Sequence, residues 1–538
     1  MRRALLALAA ACLASGASAQ TTSTAGSASN AMNANRYDAA LEGVFEQREK
    51  DWRNGAVIYQ VLVDRFAQPA DLESKKPLYP PPKTLRAWSE TPKRGNYLEV
   101  HKLWSHEIDF WGGDLQSLAG KLDHIQQLGA DVLYLNPIHL GYTNHKYDAL
   151  DYNAISPEFG TREDVKSLAR NVHGRGMKLV FDGVFNHMGR NSPKFREAEA
   201  DPKSRYRNWF VFGPQFPGGA RTWWLAENLP ELNLENPAVR DHVYAKPDSV
   251  IRSYLRDGID GWRLDVAVDI GFNYLAELTS AAHEQKPGSL VVGEIASYPK
   301  EWFPAVDAVM HFTLRHVLLR LADGRIAPRQ GAQMIERLMQ ESDYEHLLKS
   351  WVYLDNHDTE RLATALPTEA QRRLAQVLQF TLPGAPNLYY GSEVGMTGGE
   401  DPEMRAPMRW DLVDAKHPNL EWTRQLIGLR KQHRALRVGN FRPVSTDRLV
   451  GFERYTDRVR DTVFVLANSG PVEISETVLL ANSKLMNPFK MIDLLPTSAA
   501  PVSITSSLLH VTVPAYGVRV LAPEVAPPGG YSSYKRVQ

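Results

Sequence analysis

Short apolar runs recur between residues 56 and 393, and most of them are rich in β-branched or aromatic side chains. They lie at residues 56–66, 130–138, 177–187, 258–267, 289–295, 306–312, 350–358 and 385–393. Amphipathic segments with a helical period, such as "LQSLAGKLDHIQQLG" and "REDVKSLARNVHGRG", separate many of these runs. Apolar strands that alternate with helices are typical of a parallel sheet that is covered by helices.

The spacing of these runs predicts a closed (β/α)8 barrel. A barrel of about 250 residues gives each βα unit about 31 residues. Asp265 and Glu294 lie 29 residues apart, which is one unit, and Glu294 and Asp358 lie 64 residues apart, which is two. The alternative is a doubly wound open sheet, but no glycine-rich nucleotide loop follows the early strands.

The fold class predicted is therefore α/β, a (β/α)8 TIM barrel with two additions. Asp182 and Asp265 lie 83 residues apart, far more than one unit, so we predict a small subdomain inserted after strand 3 at about 188–240. Short alternating strands after about residue 440 predict a C-terminal antiparallel β-sandwich. The predicted boundaries are 1–19 for a signal peptide, 20–51 for a disordered or loosely attached segment, 52–440 for the barrel, 441–525 for the sandwich and 526–538 for a flexible tail.

The N-terminal stretch "MRRALLALAAACLASGASAQ" places two arginines before an Ala- and Leu-rich run that ends in Ala17-Ser18-Ala19. This pattern predicts a secretory signal peptide, cut before Gln20, and a periplasmic or secreted location. A membrane anchor is one alternative, but the apolar run is too short to span a bilayer. Lipidation of Cys12, which is the single cysteine of the chain, is another.

Charge composition argues against one class of partner. The 538 residues include 62 Lys+Arg and 62 Asp+Glu, so the formal net charge is zero. Nucleic-acid-binding domains carry a basic footprint, so we expect no nucleic-acid partner. No later run is long enough to span a bilayer, so we expect no membrane association after signal removal. The oligomeric state is left open.

Ionisable side chains stand at the carboxyl ends of the predicted strands. Asp182, Asp265, Glu294 and Asp358 are placed at the ends of the third, fourth, fifth and seventh strands, and that face of a barrel carries the active site. Arg263 lies two residues before Asp265, so both side chains lie on one face of the strand. A neighbouring cation lowers the pKa of a carboxyl group, so we expect Arg263 to hold Asp265 ionised.

A cluster of carboxyl groups at one barrel mouth points to glycoside hydrolysis. Two carboxyl groups that flank one bond serve there as nucleophile and as acid/base. His187 and His357 follow strands and are predicted to join the cluster. A metal site is the alternative interpretation of acids and histidines together, but the chain shows no HExxH helix motif.

These segments resemble the α-amylase superfamily, glycoside hydrolase family 13. Its four signature regions are similar to "DGVFNH" (182–187), "GWRLDVAVD" (261–269), "GEIA" (293–296) and "YLDNHD" (353–358). Within the superfamily, "NHKYDALDY" and "GSEVGMTGGEDPEMRAPMRWD" are most similar to the neopullulanase, cyclomaltodextrinase and maltogenic amylase group. The resemblance covers about residues 52 to 525.

The resemblance implies roles for these residues. Asp265 matches the nucleophile that forms a covalent glycosyl-enzyme intermediate, Glu294 the general acid/base, and Asp358 the carboxylate that holds sugar hydroxyls. The remaining matches are implied to bind substrate or to order the site, and they are Arg263, His187, His357, Tyr147 as an aromatic platform, His145 just before it, and Asp182.

The resemblance requires no cofactor for the chemistry and allows a structural Ca²⁺. Asn186 would be one ligand, and oxygen-rich "GGEDPE" is another candidate. The Lys-His pair that helps to hold the shared calcium of true α-amylases is absent, so the metal site is unknown.

The function predicted is a retaining α-glucoside hydrolase that acts on α-1,4 or α-1,6 linkages, or both, in maltodextrin-like, branched or cyclic oligosaccharides. The segment "LPELN" (229–233) resembles a region that the family's mixed-specificity enzymes carry, and Val266 matches a residue that the family uses where α-1,6 bonds are accepted, so the resemblance implies α-1,6 cleavage, alone or with α-1,4. A glucan transglycosylase with the same residues is the alternative, and a catalytically inactive sugar-binding barrel is a third reading.

Several tryptophans are candidates for stacking on sugar rings, although core packing is the better explanation for any single one. Adjacent tryptophans in a loop are hard to bury together, so the best candidate is the pair Trp223-Trp224. The other candidates are Trp111, Trp209 and Trp302.

Overall fold

The computed structural model describes residues 41, 43–487, 490–496, 499–526 and 532–536. The predicted signal peptide over 1–19 lies outside these residues, as does most of the segment predicted to be loose over 20–51. Within the described ranges, no helix has the length and apolar character needed to cross a membrane.

Eight parallel strands close into a barrel. They are β1 (Ile58–Val61), β2 (Val132–Leu135), β3 (Lys178–Gly183), β4 (Gly261–Leu264), β5 (Leu290–Ile295), β6 (Ala308–His311), β7 (Trp351–Tyr353) and β8 (Ala385–Tyr389). Each strand neighbours the next one in sequence, and β8 pairs with β1. The predicted barrel is confirmed, and the doubly wound alternative is wrong because an open sheet would leave two unpaired edges.

Both faces of these strands are buried. Alternate side chains fill the barrel interior, among them Tyr134, Met310 and Trp351. The others pack under the surrounding helices, as Leu133 and Leu179 do. Burial on two faces explains why the strands read as continuous apolar runs and not as alternating ones.

Helices surround the barrel and connect its strands. The helix Arg162–Gly174 shows how the sequence specifies these elements. It begins after Thr161, whose hydroxyl accepts the Asp164 N–H, and it buries Val165, Leu168 and Val172 on one face. The helices are Val44–Lys50, Val63–Phe66, Leu115–Ala119, Leu122–Leu128, Arg162–Gly174, Pro193–Ala200, Pro237–Arg240, Val250–Asp257, Ala267–Ile270, Phe272–Gln285, Phe312–Ala322, Pro328–Glu341, Tyr344–Lys349, Leu362–Ala365, Glu369–Thr381, Pro418–Gln432 and Arg434–Val438.

Two long connections stand above the carboxyl ends of the strands. The connection from β1 to β2 carries a hairpin of two short strands, Tyr97–Leu98 and Leu103–Trp104. The connection that follows β3 contains the helix Pro193–Ala200 and isolated bridges, including Thr222 with Pro230. These connections supply walls around the mouth of the barrel.

A C-terminal antiparallel β domain follows the barrel, with its own core around Phe464, Ile504 and Leu521. Its eight strands, in spatial order, are Asn440–Pro443, Val450–Tyr455, Val463–Ala467, Val518–Pro523, Lys490–Asp493, Val502–Thr505, Leu508–Val513 and Ile474–Leu479. The predicted C-terminal β domain is therefore present.

Parts of the two segments predicted to be loose are packed. Residues Val44–Lys50 form a helix whose Phe45 is fully buried. Arg48 on the same helix donates to Glu345 at 2.6 Å and to the Val438 carbonyl at 2.9 Å. Near the C-terminus, Tyr534 is buried against the β domain. Phe45 and Arg48 lie one turn apart on this helix, and together they give the short segment enough contacts to pack against the rest of the protein. The composition of the segment does not reveal these contacts.

Arg430 is fully buried on the helix Pro418–Gln432 and contacts backbone carbonyls instead of a carboxylate. Its guanidinium donates to the carbonyls of Gly55 at 3.1 Å, Phe380 at 2.7 Å and Leu382 at 3.5 Å, and also to that of Gly384. These carbonyls precede β1 and β8, the two strands whose pairing closes the barrel. Arg430 therefore holds this closure to the helix Pro418–Gln432.

We expect Arg430→Ala to lower the free energy of unfolding by about 3–5 kcal/mol, because several buried carbonyls lose their donor at once. Urea denaturation followed by circular dichroism measures this change. Lys431→Ala is the matched control, because its ion pair with Asp131 is exposed and contributes about 1 kcal/mol or less. Equal effects of the two substitutions would contradict the conclusion that Arg430 stabilises the closure between β1 and β8.

Candidate active site

The register of three neighbouring strands brings the predicted site together. Arg263 on β4 lies opposite Asp182 on β3 and opposite Val292 on β5. Asp265 follows the last residue of β4, and its N–H donates to the Gly183 carbonyl at 3.0 Å. Parallel register therefore brings acids that are distant in sequence to one edge of the barrel.

Arg263 is the centre of the carboxylate cluster. Its Nη1 donates to Asp182 Oδ1 at 2.8 Å and Oδ2 at 3.0 Å, and to Asp265 Oδ1 at 3.0 Å. Its Nη2 lies 2.7 Å from Glu294 Oε1. The Arg263 side chain has no exposed surface. Asp265 and Glu294 thus contact neighbouring nitrogens of one planar guanidinium, which holds the two carboxyl groups side by side.

The charges of this cluster do not balance. One buried cation faces three acids, and a buried charge is costly unless it is paired. Although burial works against it, the charges of Asp182 and Glu294 raise the pKa of Arg263 well above its usual value. The arginine therefore stays charged, and its single charge does not balance the three acids around it.

Asp265 differs from the sequence-based expectation. Burial and the neighbouring charge of Glu294 raise its pKa well above the usual value, and Arg263 lowers it less than these two raise it. The contacts agree with this direction. Asp265 accepts one bond from Arg263, whereas both oxygens of Glu294 face a donor. Burial and the charge of Glu294 thus oppose ionisation of Asp265.

The second donor to Glu294 is the backbone of Val266, whose N–H lies 3.0 Å from Glu294 Oε2. Val266 has φ 47° and ψ 44°, in the left-handed region that β-branched residues rarely adopt. Such backbone strain costs about 1–3 kcal/mol and concentrates at functional sites. Here the strained turn after Asp265 points a backbone donor at the neighbouring carboxyl group.

Tyr147 connects the cluster to the other half of the site. Its hydroxyl donates to Asp182 Oδ2 at 2.9 Å, and it lies 2.6 Å from His357 Nε2. Its ring is parallel to that of His357, with centroids 5.4 Å apart. Tyr134 on β2 also donates to Asp182, at 2.6 Å. Two tyrosines and Arg263 thus satisfy Asp182, which fits the ordering role that the resemblance implies.

The tautomer of His357 follows from a chain of amides in the barrel. Asn387 Nδ2 donates to Gln60 Oε1 at 3.2 Å, and Gln60 Nε2 lies 2.9 Å from His357 Nδ1. Since an amide nitrogen can only donate, His357 Nδ1 accepts, and the proton lies on Nε2. That N–H points at the hydroxyl of Tyr147 and at Asp358 Oδ2, which is 3.0 Å away.

Two further histidines flank Tyr147. His145 Nδ1 accepts the Tyr147 N–H at 3.1 Å, and His145 Nε2 lies 3.1 Å from Glu107 Oε1. His187 Nε2 donates to the Tyr147 carbonyl at 3.1 Å. Burial lowers the pKa of His187 to about 4, so it is neutral at physiological pH. The two imidazoles fix the backbone of the aromatic platform on both sides.

Asp358 is the most exposed of the predicted acids, with 43% of its side chain accessible. It lies five residues beyond β7, so a loop and not a strand end positions it. Arg405 Nη2 donates to Asp358 Oδ1 at 3.2 Å, and Arg405 Nε donates to the His357 carbonyl at 2.8 Å. Although burial opposes it, the pKa of Asp358 is lowered by His357 and Arg405, so this acid is ionised.

The structure therefore brings the nine residues predicted to act in catalysis, in substrate binding or in ordering the site into one connected network. Sequence reasoning missed other members of it, namely Gln60, Glu107, Tyr134, Asn136, Asn387, Asp401 and Arg405. Tyr134 and Asn136 could have been found, because they lie two apart on one predicted strand and face the same side. Arg405 lies in a long loop and gave no such signal.

The tryptophan candidates separate by exposure. Trp111 and Trp209 are buried and belong to the core, while Trp302 is half-buried and stacks on Phe272 at 4.1 Å. Trp223 stacks on His187, with centroids 5.9 Å apart, and Trp224 is 81% exposed. The reasoning that the adjacent pair cannot both be buried holds in the structure.

The residues considered for calcium make contacts with other protein groups. Among the described residues, no group of three or more His, Cys, Asp or Glu side chains is placed to hold a metal ion. Asn186 Nδ2 faces His187 Nδ1 at 3.3 Å. In "GGEDPE", Asp401 is paired with His106 and with Arg405. The Arg405 guanidinium already pairs with this acid at 3.1 Å, which makes it a poor ligand for a cation.

Comparison with known proteins supplies a family. A model described as the alpha amylase catalytic domain matches residues 60–423. Neopullulanase 2 of Thermoactinomyces vulgaris is 34% identical over 445 residues, which are 80% of this chain and 72% of that protein. Cyclomaltodextrinase of Geobacillus thermopakistaniensis is 34% identical over 440 residues, which are 78% of this chain and 69% of that protein.

A solved structure agrees with these relatives. The ligand-free cyclic α-maltosyl-(1→6)-maltose hydrolase from Arthrobacter globiformis is 32% identical and superposes with a TM-score of 0.73. The similarity covers 88% of this chain and 99% of that chain.

The relatives contradict the predicted periplasmic or secreted location. Intracellular maltogenic amylase of Bacillus subtilis is 31% identical over 398 residues, which are 72% of this chain. The prediction rested on the composition of residues 1–19, which lie outside the described residues and which the comparisons do not support as a signal peptide. The prediction used only a short Ala- and Leu-rich run at the N-terminus. The match to this relative extends over most of the chain and therefore weighs more.

We expect the His187 imidazole to titrate near pH 4 in the folded protein, because burial disfavours its charged form. The unfolded chain takes up this proton near pH 6.5. The stability that His187 contributes is therefore complete above pH 6.5 and is lost as the pH falls to about 4. NMR titration of the histidine resonances, assigned with His187→Gln, measures the pKa. A midpoint above pH 6 would contradict the buried, neutral state.

Proposed function

The chain belongs to the alpha-amylase family of glycoside hydrolases, and we propose that it is an α-glucan hydrolase that retains anomeric configuration. The single observation that carries the mechanism is that Arg263 binds two carboxyl groups, Asp265 and Glu294, on neighbouring nitrogens. Retaining glycosidases need two carboxyl groups about 5–5.5 Å apart. One guanidinium that contacts both carboxyl groups holds them side by side, which supports this mechanism.

In the proposed mechanism, Asp265 attacks the anomeric carbon while Glu294 protonates the leaving glycosidic oxygen. A covalent glycosyl-enzyme intermediate forms, and Glu294 then takes a proton from water as the water displaces Asp265. Asp358 lies beyond the pair and is ionised, so it can accept hydrogen bonds from sugar hydroxyls that strengthen in the transition state. The Tyr147 ring, fixed by His145 and His357, is the platform under that sugar.

The proposed mechanism requires a protonated Glu294 and an ionised Asp265. In the structure, Glu294 Oε1 lies 2.7 Å from Arg263 Nη2 and Glu294 Oε2 accepts the Val266 N–H, while burial and the charge of Glu294 raise the pKa of Asp265. When Glu294 takes up a proton before cleavage, its charge no longer opposes ionisation of Asp265, and the charge of Arg263 favours the anionic nucleophile.

The proposed substrates are maltodextrin-like, branched or cyclic gluco-oligosaccharides. Three similar proteins are named for pullulan, for cyclomaltodextrin and for a cyclic maltosyl-(1→6)-maltose. Together with "LPELN" (229–233) and Val266, these names support cleavage of α-1,6 as well as α-1,4 bonds. We propose that the partner bound at this site is an α-glucan oligosaccharide.

We expect Asp265→Asn and Glu294→Gln each to lower kcat on maltoheptaose by about 10³ or more, since each removes a reacting group. Asp269→Asn, an exposed acid on the same segment, is the control and should stay within about twofold. The Glu294→Gln protein should accumulate a glycosyl adduct on Asp265 with α-glucosyl fluoride, because fluoride needs no acid to leave. Full turnover of Asp265→Asn, or inverted product by NMR, would refute the mechanism.

Pullulan separates the two linkages. Release of panose reports α-1,4 cleavage, and release of maltotriose reports α-1,6 cleavage, so we expect both products by chromatography. Panose alone would refute the α-1,6 part of the proposal, and maltotriose alone the α-1,4 part. Products longer than a maltotriose substrate would indicate transfer to sugar acceptors instead of hydrolysis.

A further inference from the structure

Four side chains in the barrel mouth form a closed ring of hydrogen bonds, which we call the amide ring (Gln60, Asn136, Tyr147 and His357). Gln60 Nε2 donates to Asn136 Oδ1 at 3.1 Å and lies 2.9 Å from His357 Nδ1. Asn136 Nδ2 donates to the Tyr147 hydroxyl at 3.0 Å, and His357 Nε2 lies 2.6 Å from the same hydroxyl. Gln60, Asn136 and His357 are buried, so each polar atom depends on its partner in the ring.

The carboxylate of Asp182 fixes the direction of the bonds in the amide ring. Asp182 accepts from Arg263 with both oxygens and from the Tyr134 hydroxyl, and it also accepts from Tyr147 at 2.9 Å. The Tyr147 hydroxyl has one hydrogen, and burial raises its pKa well above the usual value, so the hydrogen is retained. Because this hydrogen points at Asp182, the Tyr147 oxygen must accept from both of its neighbours in the ring.

The two sides of the amide ring then assign the same state to His357. On one side, His357 Nε2 must donate to Tyr147 and therefore carries a hydrogen. On the other side, Asn136 uses its nitrogen on Tyr147, so its oxygen faces Gln60. Gln60 therefore presents its nitrogen to His357 Nδ1, and an amide nitrogen only donates. A proton on Nδ1 would set two hydrogens against each other, which disfavours the charged imidazolium.

Charged groups also surround His357. Asp358 Oδ2 lies 3.0 Å from its Nε2, and Arg405 Nε donates to its carbonyl at 2.8 Å. Asp182 and Arg263, which pair with each other, lie one hydrogen bond further away. A charged His357 would bind Asp358 as an ion pair and compete with the sugar for this carboxylate. The neutral imidazole offers Asp358 a weaker bond, which sugar hydroxyls can replace.

We propose that Gln60 is a positioning residue that keeps His357 neutral, with its ring hydrogen on Nε2 facing Asp358. This role rests on the proposed function, in which Asp358 accepts hydrogen bonds from sugar hydroxyls. Gln60 touches neither the substrate nor the reacting atoms and acts only through His357. The state of this histidine is therefore set from β1, which is not a neighbour of β7 in the barrel.

Nitrogen-15 NMR of histidine-labelled enzyme tests the state of His357 directly. The two ring resonances are assigned by their loss in His357→Gln. At neutral pH we expect one protonated and one unprotonated ring nitrogen, with the hydrogen on Nε2. An imidazolium, or a hydrogen on Nδ1, in the unmodified enzyme would overturn the proposal.

Two substitutions separate the hydrogen-bond direction of Gln60 from its bulk. Gln60→Glu keeps the shape, but its carboxylate only accepts, so we expect the hydrogen to appear on His357 Nδ1. The histidine then no longer donates correctly at Nε2, and kcat on maltoheptaose should fall by about tenfold or more at every pH. Gln60→Met removes the donor and frees Nδ1 to take up a proton. Its kcat should approach that of the unmodified enzyme at high pH and show one extra ionisation on the acid side.

Gln379→Met is the matched control, because Gln379 is also a buried amide of the barrel. Its Nε2 donates to the carbonyls of Val352 and Asn387, outside the amide ring. We expect Gln379→Met to lower stability without changing the His357 resonances or the shape of the pH profile. Resonances and profile shape that Gln60→Met shares with Gln379→Met would make Gln60 a packing residue and overturn the proposal.

Unchanged His357 resonances and kcat in Gln60→Glu would overturn the proposal as well. Absence of hydrolysis by the unmodified enzyme would refute the proposed function instead. The two failures are distinguishable, because the resonances of His357 test the amide ring without any turnover.

Discussion

The contact of one buried guanidinium with three carboxylates is the interaction on which the rest of the site depends. Arg263 cannot lose its charge, and in a dry barrel mouth it cannot remain unpaired. The strands on either side must therefore present acids to it, which fixes the register of β3, β4 and β5. The same cluster places one cation among three acids, and burial together with the charge of Glu294 raises the pKa of Asp265.

Around this centre the protein has built a hydrogen-bonded network from many separate parts of the chain. The network runs from Asn387 through Gln60 to His357, and then through Tyr147 to Asp182. Each amide and hydroxyl in it has a defined direction, so the imidazole tautomer and the tilt of the aromatic ring follow from the barrel scaffold. A rigid scaffold of this kind holds reacting groups in place before the substrate arrives.

The barrel supplies the chemistry, and the loops that rise above it supply the shape of the cleft. Asp358 is held by Arg405 from a distant loop. Beside Tyr147, His145 contacts Glu107 in the connection from β1 to β2, and His187 stacks on Trp223 in the connection after β3. Strained backbone at Val266 and at Trp224 occurs in these loops and not in the regular strands. The loops are thus where a shared fold acquires its own substrate preference.

The sequence by itself determined the barrel, the order of its strands and the acids at their ends, because apolar period and the spacing of βα units are local properties of the chain. It also placed Arg263 on the same face as Asp265 by simple alternation. Only the tertiary structure decided the net pKa of Asp265, the role of Arg405 and the packing of Phe45. These depend on burial and on partners hundreds of residues away, which no local pattern records.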